Sequence, residues 1–169
     1  MKILKAKLDD VELLRNFAER TFRVAYEAMN EPADFNQYCQ EAFSVERVSM
    51  EMQHPQSVFW LGWQDGKLAA YLKLNINTYT EAVNSGKTVQ IERIYVDPEM
   101  QGKGLGERLL DFCYEQAQLL KADSIWLSVW KKNPRAVTFY ERCGYEICGV
   151  EIFELGDDPQ EDWVMRRGV

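Results

Sequence analysis

The stretch IERIYVDPEMQGKGLGERLLDFCYEQAQLL, residues 91–120, changes character twice. An apolar, strand-like run reaches Asp97-Pro98, a glycine-rich tract follows, and a helical pattern begins at Leu105. Gly102, Gly104 and Gly106 alternate, leaving a chain of backbone N–H groups almost free of side chains. At a helix start such groups lack intrahelical acceptors, and the helix dipole adds partial positive charge. Glycine also lets anion oxygens approach the backbone and permits unusual φ values. The tract therefore suits a pyrophosphate. The alternative is a tight strand-to-helix turn that holds nothing. Position weighs against that: Leu105, Leu109, Phe112, Cys113, Gln116, Ala117 and Leu120 form a mostly apolar helical stripe. That stripe docks the helix on a sheet and leaves its N-terminus at the preceding strand's carboxyl end.

Three phosphate-binding patterns compete here. A P-loop needs Gly, four residues, then Gly-Lys-Ser/Thr, and no such run occurs. The dinucleotide fingerprint needs glycine where Glu107 stands, and an early first strand. The remaining pattern, Gln/Arg-x-x-Gly-x-Gly/Ala, is fitted by residues 101–106.

The 169 residues fit one domain, 1–169, large enough to bury a core. Apolar content of 46% and charged content of 28% are ordinary for a globular protein. A net charge of −7 argues against unaided nucleic-acid binding, which needs clustered Lys and Arg, and is compatible with a cationic substrate. The start, MKILKAKLDDVELL, has no continuous apolar core of a secretory signal. No run approaches the roughly 20 apolar residues of a membrane span. Cys39, Cys113, Cys143 and Cys148 show neither C-x-x-C spacing nor a disulfide-framework pattern, which suggests reduced thiols in a cytoplasmic protein. His54 has no second histidine to join it, so no metal site is expected.

No internal repeat, low-complexity segment or linker interrupts the chain. A first strand near residues 3–6 leads to a helix at about 9–28, opened by Asp9 or Asp10. ADFNQYCQEAF and VERVSMEM read as two further helices, the latter capped by Ser44. SVFWLGW and KLAAYLKLNI flank Gln64-Asp65-Gly66 as a hairpin. Residues 78–87 read as a polar loop, 89–96 as a strand, 105–120 as a helix and SIWLSVW as a strand. Asn133-Pro134 opens a helix that Gly144 stops. Two last strands, YEICGVEIFEL and DWVMRRGV, surround the acidic turn GDDPQED. Antiparallel hairpins thus mix with one parallel crossover.

In VQIERIYV, Val89 and Ile91 share one face, while Ile94 and Val96 fall on the opposite parity. One extra residue near Glu92-Arg93, a β-bulge, restores a single apolar face. A strand buried on both sides would need none.

QGKGLG after IERIYVDPEM, followed by NPRAVTFYERCGYE, resembles the GCN5-related N-acetyltransferase (GNAT) superfamily. The resemblance covers nearly the whole chain in element order and is most specific over residues 91–149. It implies an α/β (α+β) fold: a mixed, mostly antiparallel sheet of about six or seven strands, helices on both faces, and a splayed slot between the fourth and fifth strands. It implies acetyl-CoA as co-substrate, its pyrophosphate held by Gln101, Gly102, Lys103, Gly104, Leu105, Gly106 and Glu107. Ile94, Tyr95 and Val96 would run along its pantetheine arm, with Asn133 nearby. Asn133 also has a sufficient reason to exist as a helix cap.

Amine acetylation needs a neutral amine, although alkyl amines have pKa values near ~10. Glu92, on the expected bulge, is the candidate proton acceptor; its competing reading is an ion pair with a neighbouring Lys or Arg. Tyr140 matches the family's general-acid tyrosine, which would protonate the leaving thiolate. On pattern alone, Phe139 and Tyr140 would be core aromatics.

ERTF, IERIYV, IWLSVWKKNPRAVTFYERCGY and FELGDDPQEDWVM together resemble bacterial PaiA-type spermidine/spermine N-acetyltransferases. The second helical region and the proline in DDPQED depart from that pattern. The resemblance implies a small primary amine, a polyamine such as spermidine or spermine, acetylated by direct attack in a ternary complex. Protein N-termini as acceptors, or a non-catalytic acyl-CoA sensor, are the alternatives, and dimers are common among relatives. Candidate acceptor-binding residues are Glu27, Glu31, Tyr79 and Trp130, with Asp34, Asp157 and Asp158 as further carboxylates; each carboxylate is otherwise plain solvated surface.

Overall fold

The computed structural model describes residues 1–169. Its strands are β1 (Lys2–Lys5), β2 (Ser57–Gln64), β3 (Lys67–Ile76), β4 (Thr88–Val96), β5 (Ser124–Trp130), β6 (Glu146–Leu155) and β7 (Asp158–Gly168). Its helices are α1 (Val11–Tyr26), α2 (Pro32–Ala42), α3 (Val45–Gln53), α4 (Leu105–Leu119) and α5 (Pro134–Arg142). The strands form one seven-stranded sheet in the order β1-β2-β3-β4-β5-β7-β6. Only β4 and β5 pair in parallel, through the α4 crossover. This is the mixed α/β architecture expected from the residue pattern. No helix is long and apolar enough to cross a membrane.

Alternation along the strands divides the core into two layers. Leu109, Leu110, Cys113 and Ala117 of α4 pack on Val89, Ile91, Ile125 and Leu127. On the opposite face, Leu14, Phe17, Phe22, Phe35, Phe43 and Val48 of the α1–α3 region pack on Phe59, Leu61 and Tyr71. The β2–β3 hairpin closes through Asp65 (φ 50°) and Gly66 (φ 77°), the positive-φ pair that a two-residue turn requires.

The phase break in β4 is a bulge. Lys73 of β3 pairs with Arg93, and the next residue, Leu74, pairs with Ile91, so Glu92 is the extra residue. Ile94 and Val96 consequently return to the α4 side with Val89 and Ile91, while Tyr95 joins the layer under α1. The parallel ladder then fails: β4 and β5 pair from Thr88↔Ser124 only as far as Ile91↔Leu127.

Three expectations need correction. The first helix is shorter than residues 9–28, because 3-10 turns at Leu8–Asp10 and Glu27–Met29 replace its ends. The acidic segment at 156–162 is not a long turn. Gly156 (φ 62°) and Asp157 alone reverse the chain, and β7 starts at Asp158, with Leu155↔Asp158 the first pair. Pro159 is accommodated because this part of β7 extends beyond the end of β5, whose last pair is Trp130↔Asp162. Finally, the polar loop before β4 carries a buried anchor: Val83 packs with Trp126 and Val164, and Trp126 Nε1 donates to the Thr78 carbonyl. Gly149 of β6 lies beneath this loop, where a Cβ would come within 2.4 Å of the Ala82 Cβ.

Candidate active site

The separation of β4 from β5 opens a cavity of about 220 Å³ that draws its lining from both faces of the sheet. Phe22, Tyr26, Tyr38 and Phe43 come from the α1–α3 side, and Ala136 and Tyr140 from α5 on the other. Beyond Ile91 the β5-facing edge of β4 has no strand partner, so its main-chain groups are available to a bound molecule.

The glycine tract, between β4 and α4, lies outside the lining of this cavity. Gly104 (φ 72°) forms the N-terminal boundary of α4 with no side-chain cap, and the first helical bond runs from Arg108 N–H to the Gly104 carbonyl. None of the N–H groups of residues 102–107 donates to another backbone group. Gly102 (φ 76°) and Gly104 adopt left-handed conformations with open space where a Cβ would sit. Gly106 differs, since its Cβ would lie 3.2 Å from Phe139 Cζ, so it permits close packing of α4 on α5. Leu105 is buried and anchors the helix start, while Gln101, Lys103 and Glu107 are exposed. The tract fits a pyrophosphate: a row of donors, a helix N-terminus and no side chain in the way.

Among the other residues singled out from sequence, Glu92, Ile94, Tyr95, Trp130 and Tyr140 line the cavity. Val96 instead packs toward the α4 core. Asn133 caps α5, its Oδ1 accepting from Ala136 N–H at 3.1 Å. Burial pushes the Tyr140 hydroxyl well above the usual tyrosine range, with Tyr26 and Cys113 adding to the effect, so it keeps its proton at neutral pH. Three candidates do not reach the cavity. Glu27 is exposed and pairs with Arg23 at 2.9 Å. Glu31 is exposed at the N-terminus of α2. Tyr79 is half exposed and donates to the Gly86 carbonyl at 3.0 Å. Asp34 packs against Gly156, and Asp157 and Asp158 are exposed at the hairpin tip.

Glu92 sits in a charged network that fixes the bulge. Lys73 Nζ lies 2.8 Å from Glu92 and 3.0 Å from Glu51, and Arg93 lies 3.1 Å from Glu51. Asn75 Nδ2 also donates to Glu92. Burial would raise the Glu51 carboxyl, but Arg93 and Lys73 outweigh it and hold it below the usual range. The ion-pair reading of Glu92 is therefore realised.

Two carboxylates escaped the sequence reading. Glu151 and Asp162 stand opposite each other across β6 and β7, and both line the cavity. Ser128 donates to Glu151, whereas the Asp162 carboxylate takes part in no hydrogen bond or ion pair within the protein. Burial, reinforced by Glu151, pushes Asp162 up to about 7. Counting pairs outward from a two-residue Gly156-Asp157 turn would have placed them together. Spreading the turn over residues 156–162 concealed this.

Residues 14–145 match the family described as acetyltransferase (GNAT). An uncharacterized N-acetyltransferase of Lactobacillus delbrueckii subsp. lactis is 28% identical over 169 residues, covering 100% of this chain and 98% of its own. The spermine/spermidine N(1)-acetyltransferase of Bacillus subtilis is 28% identical over 88 residues, 52% of this chain and 58% of that protein. The crystal structure of PaiA N-acetyltransferase from Thermoplasma acidophilum in complex with coenzyme A superposes with a TM-score of 0.76 at 19% identity, covering 99% of this chain and 98% of that one.

Proposed function

This chain belongs to the acetyltransferase (GNAT) family, and from that premise we propose that it transfers the acetyl group of acetyl-CoA to a primary amine of a small molecule, a polyamine such as spermidine or spermine. The observation that carries the reading is the cavity where β4 and β5 part, lined by α5 on one side and by residues of the α1–α3 region on the other. Acetyl-CoA supplies an activated acyl group as a thioester. The unpaired N–H groups of residues 102–107 would bind its pyrophosphate, and the free edge of Ile94, Tyr95 and Val96 would align its pantetheine arm. The Tyr140 hydroxyl, still protonated at neutral pH, would give its proton to the departing thiolate.

The acceptor enters from the α1–α3 face. Glu151 and Asp162 attract a cation there, and the rings of Tyr26 and Trp130, 6.2 Å apart, offer faces that stabilise an alkylammonium. The similarity to the Bacillus subtilis enzyme supports a polyamine. Cytoplasmic residence belongs to the same proposal, supported by four unpaired cysteines.

Thiol release from acetyl-CoA, measured with spermidine, spermine, free amino acids and peptides, tests the reading. Release should be fastest with the polyamines. Release with peptides alone would remove the polyamine assignment, and none with any amine would favour a coenzyme A sensor.

A further inference from the structure

We propose that Asp162 is the general base of this transfer, with Glu151 facing it across β6 and β7, and that Glu92 serves to hold the bulge. The assignment rests on the acetyltransferase reading above. A general base must reach the acceptor nitrogen with a free oxygen lone pair. Glu92 lines the slot, but Lys73 and Asn75 engage its oxygens and Arg93 lies 3.7 Å away. Asp162 lines the same slot beside Trp130, its register partner on β5, and no cation or donor of the protein occupies its oxygens.

The charged and titratable groups around Asp162 come from every neighbouring element. Glu151 faces it from β6, and Ser128 of β5 binds Glu151 rather than Asp162. Tyr26 approaches from α1 and Tyr140 from α5. On β4, Glu92 is committed to Lys73, and Arg93 to Glu51. Lys132 lies 5.6 Å from the Trp130 ring centroid, and Lys131 is paired with Glu161 at 3.3 Å. Gln160, on the same strand, donates to Asn30 and Asp158. Directly opposed like charges destabilise a sheet, so an unrelieved Glu151–Asp162 pair in a cavity wall points to an occupant that relieves it. A second polar group on the same cavity is the Tyr71 hydroxyl, fully buried and without a hydrogen-bond partner in the protein. An ammonium or amine is the chemistry that satisfies the carboxylates.

The proton inventory closes. The acceptor ammonium gives one proton to the Asp162 carboxylate, and the freed lone pair bonds to the acyl carbon. As the C–S bond breaks, sulfur takes the Tyr140 proton, and the second nitrogen proton restores that hydroxyl. Asp162 then releases one proton to solvent, the net product of acetylating an ammonium ion. Its apparent value of about 7 lets the carboxylate accept and release a proton near neutral pH.

Two measurements on the intact protein test this. In a carbon-13 titration of labelled aspartate, one carboxyl should titrate near 7, vanish in Asp162→Asn and shift when spermidine is added. An Asp162 signal with an ordinary value near ~4 would overturn the assignment whatever acceptor the enzyme uses. In steady-state assays, kcat/KM for the best amine should rise through an acidic limb near 7. Asp162→Asn should lower kcat roughly 100-fold and abolish that limb while coenzyme A binding by calorimetry stays intact. Glu92→Gln should keep the limb in place. A limb lost in Glu92→Gln and retained in Asp162→Asn would return the role to Glu92. A titration near 7 together with absent amine-dependent turnover in the parent protein would condemn the acetyltransfer reading while upholding the unusual carboxylate.

Discussion

Tyr140 and Gly104 show how one side chain, or the lack of one, sets a specific step. Because burial keeps the Tyr140 hydroxyl protonated, the acid role proposed for it depends on the oxygen and not on the ring. Tyr140→Phe should therefore lower kcat about tenfold or more while coenzyme A affinity, by calorimetry, stays within a factor of two. Unchanged turnover would reduce Tyr140 to packing. Gly104 and Gly106 are two residues apart but do different work. An alanine at 104 meets open space, yet its left-handed φ costs about 1–2 kcal/mol, relieved when the loop reshapes. Gly104→Ala should thus weaken coenzyme A binding about tenfold. Gly106→Val instead meets Phe139 and should lower the Tm, since α4 must move off α5. These residues were legible because their chemistry is local: a glycine tract and an Asn-Pro helix start are visible in a few consecutive letters. Glu151 and Asp162 were not, because their meeting depends on the register of a hairpin whose turn was drawn too long.

At the level of single elements, β4 is decisive, since its bulge creates the slot by ending the ladder with β5. The parity break in VQIERIYV announced that bulge, but not what stabilises it. Lys73 is 4% exposed, Glu51 8% and Arg93 13%, and their attachments come from β3, α3 and β4, which no local pattern could bring together. Removing one partner of a buried ion pair leaves uncompensated charge, so Glu51→Gln should destabilise the fold by about 3 kcal/mol at neutral pH. The pH dependence has a definite sign. Burial raises Glu51, but Arg93 and Lys73 pull it down further, so the folded value is depressed. Its contribution is present above the unfolded value of ~4.3 and is lost as pH falls through the folded one. Chemical denaturation of parent and variant should accordingly differ most at pH 7, and the gap should narrow as the pH falls below ~4.3. A constant gap across that range would mean that Glu51 acts by packing alone.

For the whole molecule, the consequence of placing helices on both faces of a split sheet is that two substrates can meet inside it without crossing paths. The glycine tract and α5 stand on one side, and the aromatic residues of α1 and α2 on the other. The two sides are linked mechanically where Arg20 of α1 reaches Asp97, which caps the turn before the glycine tract, at 2.6 Å. Such a layout favours direct transfer, and the cysteines agree. Cys39 and Cys113 are buried, burial pushes Cys39 up to about 11 and Cys113 higher still, and none of the four thiols lines the cavity. Without a thiolate at the slot, an acetyl-cysteine intermediate has no residue to form on. Initial rates measured while both acetyl-CoA and the amine are varied should therefore give intersecting double-reciprocal lines, as expected when both substrates must be bound before either product leaves. Parallel lines, or an acetylated protein detected by mass spectrometry after incubation with acetyl-CoA alone, would require a nucleophile in the slot and would overturn direct attack. Replacing all four cysteines by serine or alanine separates the cases further: turnover should survive wherever the fold does, because the transfer depends on the gap between β4 and β5.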